Sequence, residues 1–503
     1  MFQGIYVKEV IVVNHSKLSD HVLIKGKFIT PFHTLPNLEE YADDKSWTYG
    51  RMPEYLWIGL LLKFLGRDIG LKRLHYIMDL LHKIAPTLKT ARISEILKLS
   101  RNDQQQLFDY IVSIGAKKAL SPLTVFLTVS YAPVFAETFY CPDENIEDRC
   151  NTITHTMKNL MDHQSHESTD VRFVVLYFTL LSGNIHMLPN QIDLINAYPN
   201  SSHEDEIMRM ARPTVRSMEQ MLLTFEITNK DYIKDFWRCI SEMTDCTLYS
   251  VAFPKEERDF TEYMEKLQRV FIYLSNLFTS AEPLDDKMNV LLGIATYSYK
   301  RLKEVYKHNL FNTISGRSCV RVIIEDYIMM KYLVANESKH DNIWRDFQFY
   351  GIGQYKLILT KHREAEENNN RHFDVGYIEA LVNEFKEEEF IDMDTKYFDK
   401  QNIRLKAESV DEKALFGLYY DYDSAFEHGL WGAIRETSLI KCMNPAHKYH
   451  CVPDIEDSIV LKSVMPDCIM AMNKTLTYLN EIYGIPEAML NEVIHFELKP
   501  IDG

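Results

Sequence analysis

Apolar residues along this 503-residue chain recur mostly three and four positions apart, the repeat that lines one face of an α-helix. In "ERDFTEYMEKLQRVFIYLSNLF", Phe260, Tyr263, Leu267, Val270, Phe271, Leu274 and Phe278 form such a stripe. Pro53 opens "PEYLWIGLLLKFLG", at the first-turn position that tolerates proline. Asp68 is the expected N-cap of "DIGLKRLHYIMDLLHKIA", and Ser121-Pro122 the expected start of a helix through "LTVFLTVSYAPVF". "NIEDRCNTITHTMKNLMDH" and "DVRFVVLYFTLLSG" read as the next pair, with Gly183 as a stop. Only the arm over residues 1–30 alternates: Ile5, Val7, Val10 and Val12, then Val22, Ile24 and Phe28, a short hairpin or irregular arm. The expected fold is mainly α. A short β arm (1–30) precedes a multi-helix N-terminal domain (31–283) and a C-terminal helical bundle (284–503), with the break at "SAEPLDD", Ser280 to Asp286.

Composition narrows the class. A hydrophobic share of 46% and a charged share of 25% are globular values. The formal net charge of -16 disfavours nonspecific binding to nucleic acid or anionic membrane. Eight dispersed cysteines without a C-x-x-C pattern read as reduced thiols. The opening residues lack the leader of a secretory signal, and "YLWIGLLLKFLG" is too short to span a bilayer. A cytoplasmic protein is expected. Charge is uneven, with twelve Lys/Arg against six Asp/Glu over Tyr299–Arg363, then eleven acids against three bases over Glu364–Lys396. The two stretches are expected to pair. "REAEENNNR" and "EFKEEEFIDMD" read as a solvated loop and a solvated helix face.

Two polar rows stand out on apolar helices. "SGRSCVRVIIEDYIMMKYLV" is apolar over most of its circumference and should be buried, yet Arg317, Arg321 and Glu325 recur every four residues. Guanidinium cannot shed its charge, so buried arginine needs partners. Glu325 can serve Arg321. In "LYYDYDSAFEHGLW", Tyr420, Ser424 and His428 form a second row of the same spacing. The two rows are expected to face each other, with Tyr350 and Gln354 closing a third side and Gly351 and Gly353 allowing close helix approach. Arginines at such a site can bind an anion or stabilise an oxyanion, and histidine can move a proton near neutral pH.

Through "RSCVRVIIEDYIMMKYL", "FQFYGIGQYKLI", "YDYDSAFEHG" and "CMNPAHKYHCVPDIEDSIVLKSVMPDCIMAMNKTLTYLNEIYG", the chain resembles an uncharacterised, mainly bacterial, all-helical domain of unknown function. The resemblance spans about Leu284 to Gly484. It implies a helical fold in which Arg317, Arg321, Glu325, Tyr420, Ser424 and His428 belong together, and it implies no activity. A looser likeness is to helical RNase-type domains of toxin and antiphage systems, which pair Arg and His on one helix. The one fit here is Arg301 to His308 in "RLKEVYKH".

Three further segments carry chemistry-bearing residues. "CMNPAHKYHC" places Cys442, His447, His450 and Cys451 within ten residues. The paired spacing of a zinc site is absent, and Cys451 directly follows His450, so no metal is assigned. "MDHQSHESTDVRF" holds Asp162, His163, His166, Glu167, Asp170 and Arg172, the residue types of a second polar site or metal-binding loop, but Ser168–Asp170 also make a helix start, and a linker is the favoured reading. Cys239 and Cys246 read as core thiols. No phosphate-binding glycine loop, serine-hydrolase elbow or H-E-x-x-H motif occurs.

The functional expectation is a bacterial defence or stress protein that binds an anionic ligand, a nucleotide or RNA phosphate, in the C-terminal bundle. Arg317, Arg321, Tyr350, Gln354, Tyr420 and Ser424 would hold it, without a cofactor. The first alternative is a metal-independent RNase using His428, Arg321 and Glu325. The second is a helical scaffold for protein–protein or homo-oligomeric contacts. No membrane association is expected.

Overall fold

The computed structural model describes residues 22–29, 46–183, 189–221, 229–278, 285–364, 373–384, 399 and 401–497. Ile5, Val7, Val10 and Val12, most of Ser280–Asp286 and most of both acid-rich segments lie outside the described residues. Among those described, the chain is mainly helical, and the arm contains an antiparallel hairpin of β1 (Val22–Ile24) and β2 (Lys27–Ile29). The described contacts form two compact units. One comprises Met1–Tyr249 with Lys441–Val452, the other Ser250–Ile440 with Pro453–Gly503.

The first unit is built on α1 (Met52–Leu65), which is buried from Met52 through Leu62. Pro53 occupies its first turn, as the sequence suggests. Gly66, at φ +76°, ends α1 and also caps α2 (Arg67–Ile84), so Asp68 falls in the first turn instead of capping it. In α3 (Ile146–Met161), the Asn145 side chain accepts from the Asp148 amide. Gly59 of α1 faces this helix, where a Cβ would collide with Leu160. Next, α4 (His166–Leu181) starts earlier than expected because Ser165 is the cap, accepting from the Ser168 amide at 3.0 Å. His166 and Glu167 therefore belong to the helix instead of a linker, and Asp170 lies a full turn inside it. Ser121-Pro122 opens only a short 3₁₀ turn (Ser121–Val125), and Pro133, with no amide hydrogen to extend a ladder, opens a separate helix (Pro133–Phe139). The unit continues through α5 (Met208–Met221), α6 (Lys230–Glu242) and β3 (Leu248–Tyr249).

The second unit takes in α7 (Thr261–Phe278), whose Phe260, Tyr263, Leu267, Val270 and Leu274 enter its core. For that reason the division falls between Tyr249 and Ser250, ahead of the Ser280–Asp286 break. After α8 (Asp286–Lys307) comes α9 (Ile314–Asn336), the central helix, with Val320, Ile323, Ile324, Ile328 and Leu333 fully buried. Thr313 caps α9, and a Cβ on Gly316 would collide with the Leu310 carbonyl. Around it lie α10 (Ile343–Glu364), α11 (Asp421–Glu427) and α12 (Met465–Tyr483). The basic and acidic stretches meet at Arg363–Glu379, 3.2 Å apart. Gly351 faces open space, so it mediates no close approach.

The chain returns to the first unit through β4 (Leu439–Cys442), which pairs antiparallel with β3 and is followed by β5 (Cys451–Pro453). No described helix is long and apolar enough to cross a membrane.

Candidate functional site

The two polar rows of the second unit meet only in part. Arg321 donates to the Tyr420 hydroxyl at 2.7 Å, its guanidinium lies 4.7 Å from that ring's centre, and it pairs with Glu325 at 3.3 Å. Burial, then the charge of Glu325, pushes the Tyr420 phenol up to about 12. Arg317 is buried. It donates to the Lys462 carbonyl at 2.9 Å and makes longer pairs, 3.9 Å each, with Asp423 and Asp467. Neither carboxylate belongs to the expected row. Burial pushes Asp423 up to about 7, with Arg317 opposing and Asp467 adding.

Helical spacing fails at the other end of the second row. A π-helical turn, Phe416–Tyr420, feeds α11, which ends at Glu427. Tyr420 is buried and Ser424 half-buried, but His428 sits past the helix end and is exposed. The row runs from core to solvent, with its imidazole at the solvent end. Tyr350 and Gln354 are half-buried on α10, and each has interacting neighbours. A cleft of ≈ 610 Å³ runs beside α9 and α12, lined in part by Tyr327, Lys331, Asn473, Lys474 and Tyr478. Its two lysines converge on Glu412, at 2.8 and 3.4 Å. Asp326 accepts from Ser298 at 2.7 Å, and burial raises its carboxyl to about 7.

The first unit holds a polar constellation, of which only His166 and Asp170 lie in the segment expected to be a linker. Asp170 is 4% exposed. It accepts from the Tyr198 hydroxyl at 2.8 Å, pairs with Arg67 at 3.2 Å and lies 3.2 Å from His203 Nε2. His203 stacks on His166 with ring centres 4.1 Å apart, and His203 Nδ1 is buried with no hydrogen-bond partner among the described residues. Arg212 approaches His166 Nε2 at 2.9 Å. Partial burial, then His203 and Arg212, lowers the His166 imidazole below its ordinary value. These groups border a pocket of ≈ 360 Å³ whose lining includes Lys63, Arg67, Thr156, His166, Asp170 and His203. Nearby, Arg51 and Arg172 both pair with Glu219, which is wholly buried. The available signal in the sequence was Ser165, an equally good cap three residues ahead of Ser168.

The loop after β4 brings Cys442, His447 and His450 together, but Cys451 is not with them. Their fourth neighbour is Cys246, far upstream. Cys246 is exposed, not a core thiol.

Residues 288–444 match the model of a family described as a family of unknown function (DUF5677). This match lies inside the Leu284–Gly484 span that resembles an uncharacterised all-helical domain, and it contains α9 and α11. No curated protein and no solved structure matches the chain. The C-terminal region is thus similar to an uncharacterised helical family.

Proposed function

We propose that the chain binds an anionic, phosphate-bearing ligand, and that the pocket of the first unit takes it. The observation that carries this reading is the convergence of Lys63, Arg67 and the stacked His166–His203 pair on one ≈ 360 Å³ pocket, with the His203 Nδ1 atom buried and without a hydrogen-bond partner among the described residues. Pockets with a few convergent polar groups are the usual form of a small-molecule site. A phosphate oxygen at the histidine pair would accept a hydrogen bond, and Lys63 and Arg67 would offset its charge. Nucleotides and RNA ends share this chemistry. The reading includes a cytoplasmic setting, in keeping with eight free thiols, and a role in bacterial defence or stress.

For the second unit a scaffold role is favoured, because Arg317 and Arg321 are engaged by Asp423, Asp467, Tyr420 and Glu325 within the bundle. Such a network fixes the register of helices, which in turn can present a surface to a protein partner or a second copy. No observation favours the RNase reading, since His428 is exposed beyond the end of α11 while Arg321 is engaged by Tyr420 and Glu325.

Calorimetric titration with inorganic phosphate, AMP, ATP and a 5′-phosphorylated RNA oligonucleotide tests the site. At least one probe should bind saturably, and Lys63→Ala should weaken it by about tenfold or more, the loss of one charge-assisted contact. Binding should tighten as pH falls and His166 gains charge, which burial and its neighbours delay to below the ordinary 6.5. Saturable binding that survives Lys63→Ala and disappears in Arg321→Ala would return the site to the second unit. No binding by any probe at millimolar concentration would end the proposal.

A further inference from the structure

Four potential metal ligands meet in the first unit, on two segments separated in sequence by Ser250–Ile440 of the second unit. Cys246 precedes β3, and Cys442 ends β4 directly opposite Leu248. Strand pairing therefore fixes the two thiols near each other. The chain then turns through a short 3₁₀ helix (Pro445–His447), capped by Asn444, whose side chain accepts from the Ala446 amide at 2.9 Å. Lys448 and Tyr449 follow with positive φ, 53° each, and fold the chain back so that His450 rejoins His447. Cys246 Sγ lies 3.2 Å from His447 Nδ1 and 3.2 Å from His450 Nε2, and Cys442 Sγ lies 3.7 Å from His447 Nδ1. All four ligand atoms fall within 4.8 Å of one another.

From these distances we infer that Cys246, Cys442, His447 and His450 form a Cys₂His₂ site for zinc. Zinc–sulfur and zinc–nitrogen bonds of ~2.3 and ~2.0 Å place tetrahedral ligands roughly 3.3–3.8 Å apart, close to the separations here. The surroundings are those of ligands held in place. His447 Nε2 lies 3.1 and 3.0 Å from the carbonyls of Ser241 and Thr244, so its hydrogen sits there and the Nδ1 lone pair faces the two sulfurs. The Asn444 amide donates to Cys442 Sγ at 3.4 Å, which suits a thiolate. Asn444 also donates from its side chain to the Asp245 carbonyl at 2.9 Å, locking the loop to the segment that carries Cys246. On binding, both thiols release a proton, and two thiolates neutralise one divalent ion. Four protein ligands leave no open position, so the site is structural. It clasps the strand on which the chain leaves the first unit to the strand on which it returns, closing a loop of nearly two hundred residues. Cys451, on β5, takes no part.

Elemental analysis of the untagged full-length protein, purified without chelators, tests the assignment. About one zinc per chain is expected, with Cys451→Ser unchanged and both Cys246→Ser and His450→Ala reduced to a small fraction. Stripped wild-type protein titrated with Co²⁺ should develop the intense visible bands of a tetrahedral site together with a sulfur-to-cobalt charge-transfer band, a readout that holds even if the variants fold poorly. Wild-type protein that carries no zinc and gives only the pale spectrum of octahedral Co²⁺ would overturn the proposal. So would equal metal content in Cys246→Ser and wild type.

Discussion

The two units bury arginine in opposite ways. In the first, two guanidiniums, Arg51 and Arg172, share one wholly buried carboxylate, Glu219, and both lie over the Trp47 ring. In the second, one buried guanidinium, Arg317, stands between two carboxyl groups, Asp423 and Asp467. Where cations outnumber anions, both guanidiniums depend on the same carboxylate. Where carboxyl groups outnumber cations, one can take a proton and the site remains satisfied. The comparison teaches that a polar row on an apolar helix does not mark a ligand site. In the second unit Arg317 and Arg321 each have partners within the bundle, although Arg317 Nε, Arg321 Nε and Asp423 Oδ1 are buried without a hydrogen bond among the described residues, whereas in the first unit His203, with an unpartnered ring nitrogen, borders an open pocket.

The largest test of this contrast is Glu219→Ala. It strands two buried positive charges and should destabilise the first unit by about 3–5 kcal/mol, the usual cost of breaking a buried pair. Asp423→Asn leaves Arg317 with Asp467 and the Lys462 carbonyl, and should cost far less. Denaturant titrations of both variants decide the point, and equal losses would remove the distinction.

A pH series comes next in size. Asp326 titrates at about 7 in the folded protein, against an ordinary 3.8. Between those values the folded state holds a proton that the unfolded chain lacks. This contribution is therefore full below about 4 and is lost as pH rises through 7. Asp423, also raised to about 7, acts with the same sign. In the first unit, burial lowers His75 and His166 from 6.5. The unfolded chain then takes up protons that the folded state refuses, so stability is full above 6.5 and falls as pH drops below it. Glu54, raised by burial, works against this trend and makes the slope shallower. Hydrogen exchange at pH 5.5 and 8 reads the units separately. The second should be better protected at 5.5 and the first at 8, and Asp326→Asn should flatten the response of the second. Protection moving the same way in both would break the comparison.

The smallest expected effect is that of His428→Ala. An exposed residue beyond a helix end should change stability by no more than about 0.5 kcal/mol, measured by thermal unfolding. A loss of several kcal/mol would mean that the second row closes over Arg321 after all.

Much of the helical framework was legible because burial repeats with the helix. The α7 stripe and the all-round apolar α9 required no partner to be recognised. Arg321 with Glu325 followed from four-residue spacing, but the second row was expected to satisfy Arg317, and its Tyr420 instead partners Arg321. His428 was misplaced because spacing assumes an unbroken α-helix, and a π-helical turn and an early stop changed the phase. Asp170 was set aside with its segment as a linker, because Ser168 was taken for the cap and Ser165 is the one used. Cys246 was missed because strand pairing, not local spacing, sets it beside Cys442.

By itself the sequence determined what depends on neighbours along the chain: the helical class, the buried α9, the prolines and glycines that start and stop helices, and the need of each buried arginine for a partner. Only the tertiary structure decided which partner that is, where a pocket remains, and which cysteine completes the His447–His450 cluster. Local periodicity is written into a dozen consecutive side chains. The meeting of Asp170 with His203, or of Cys246 with Cys442, depends on how helices and strands pack, and residues distant in sequence carry no shared pattern that announces it.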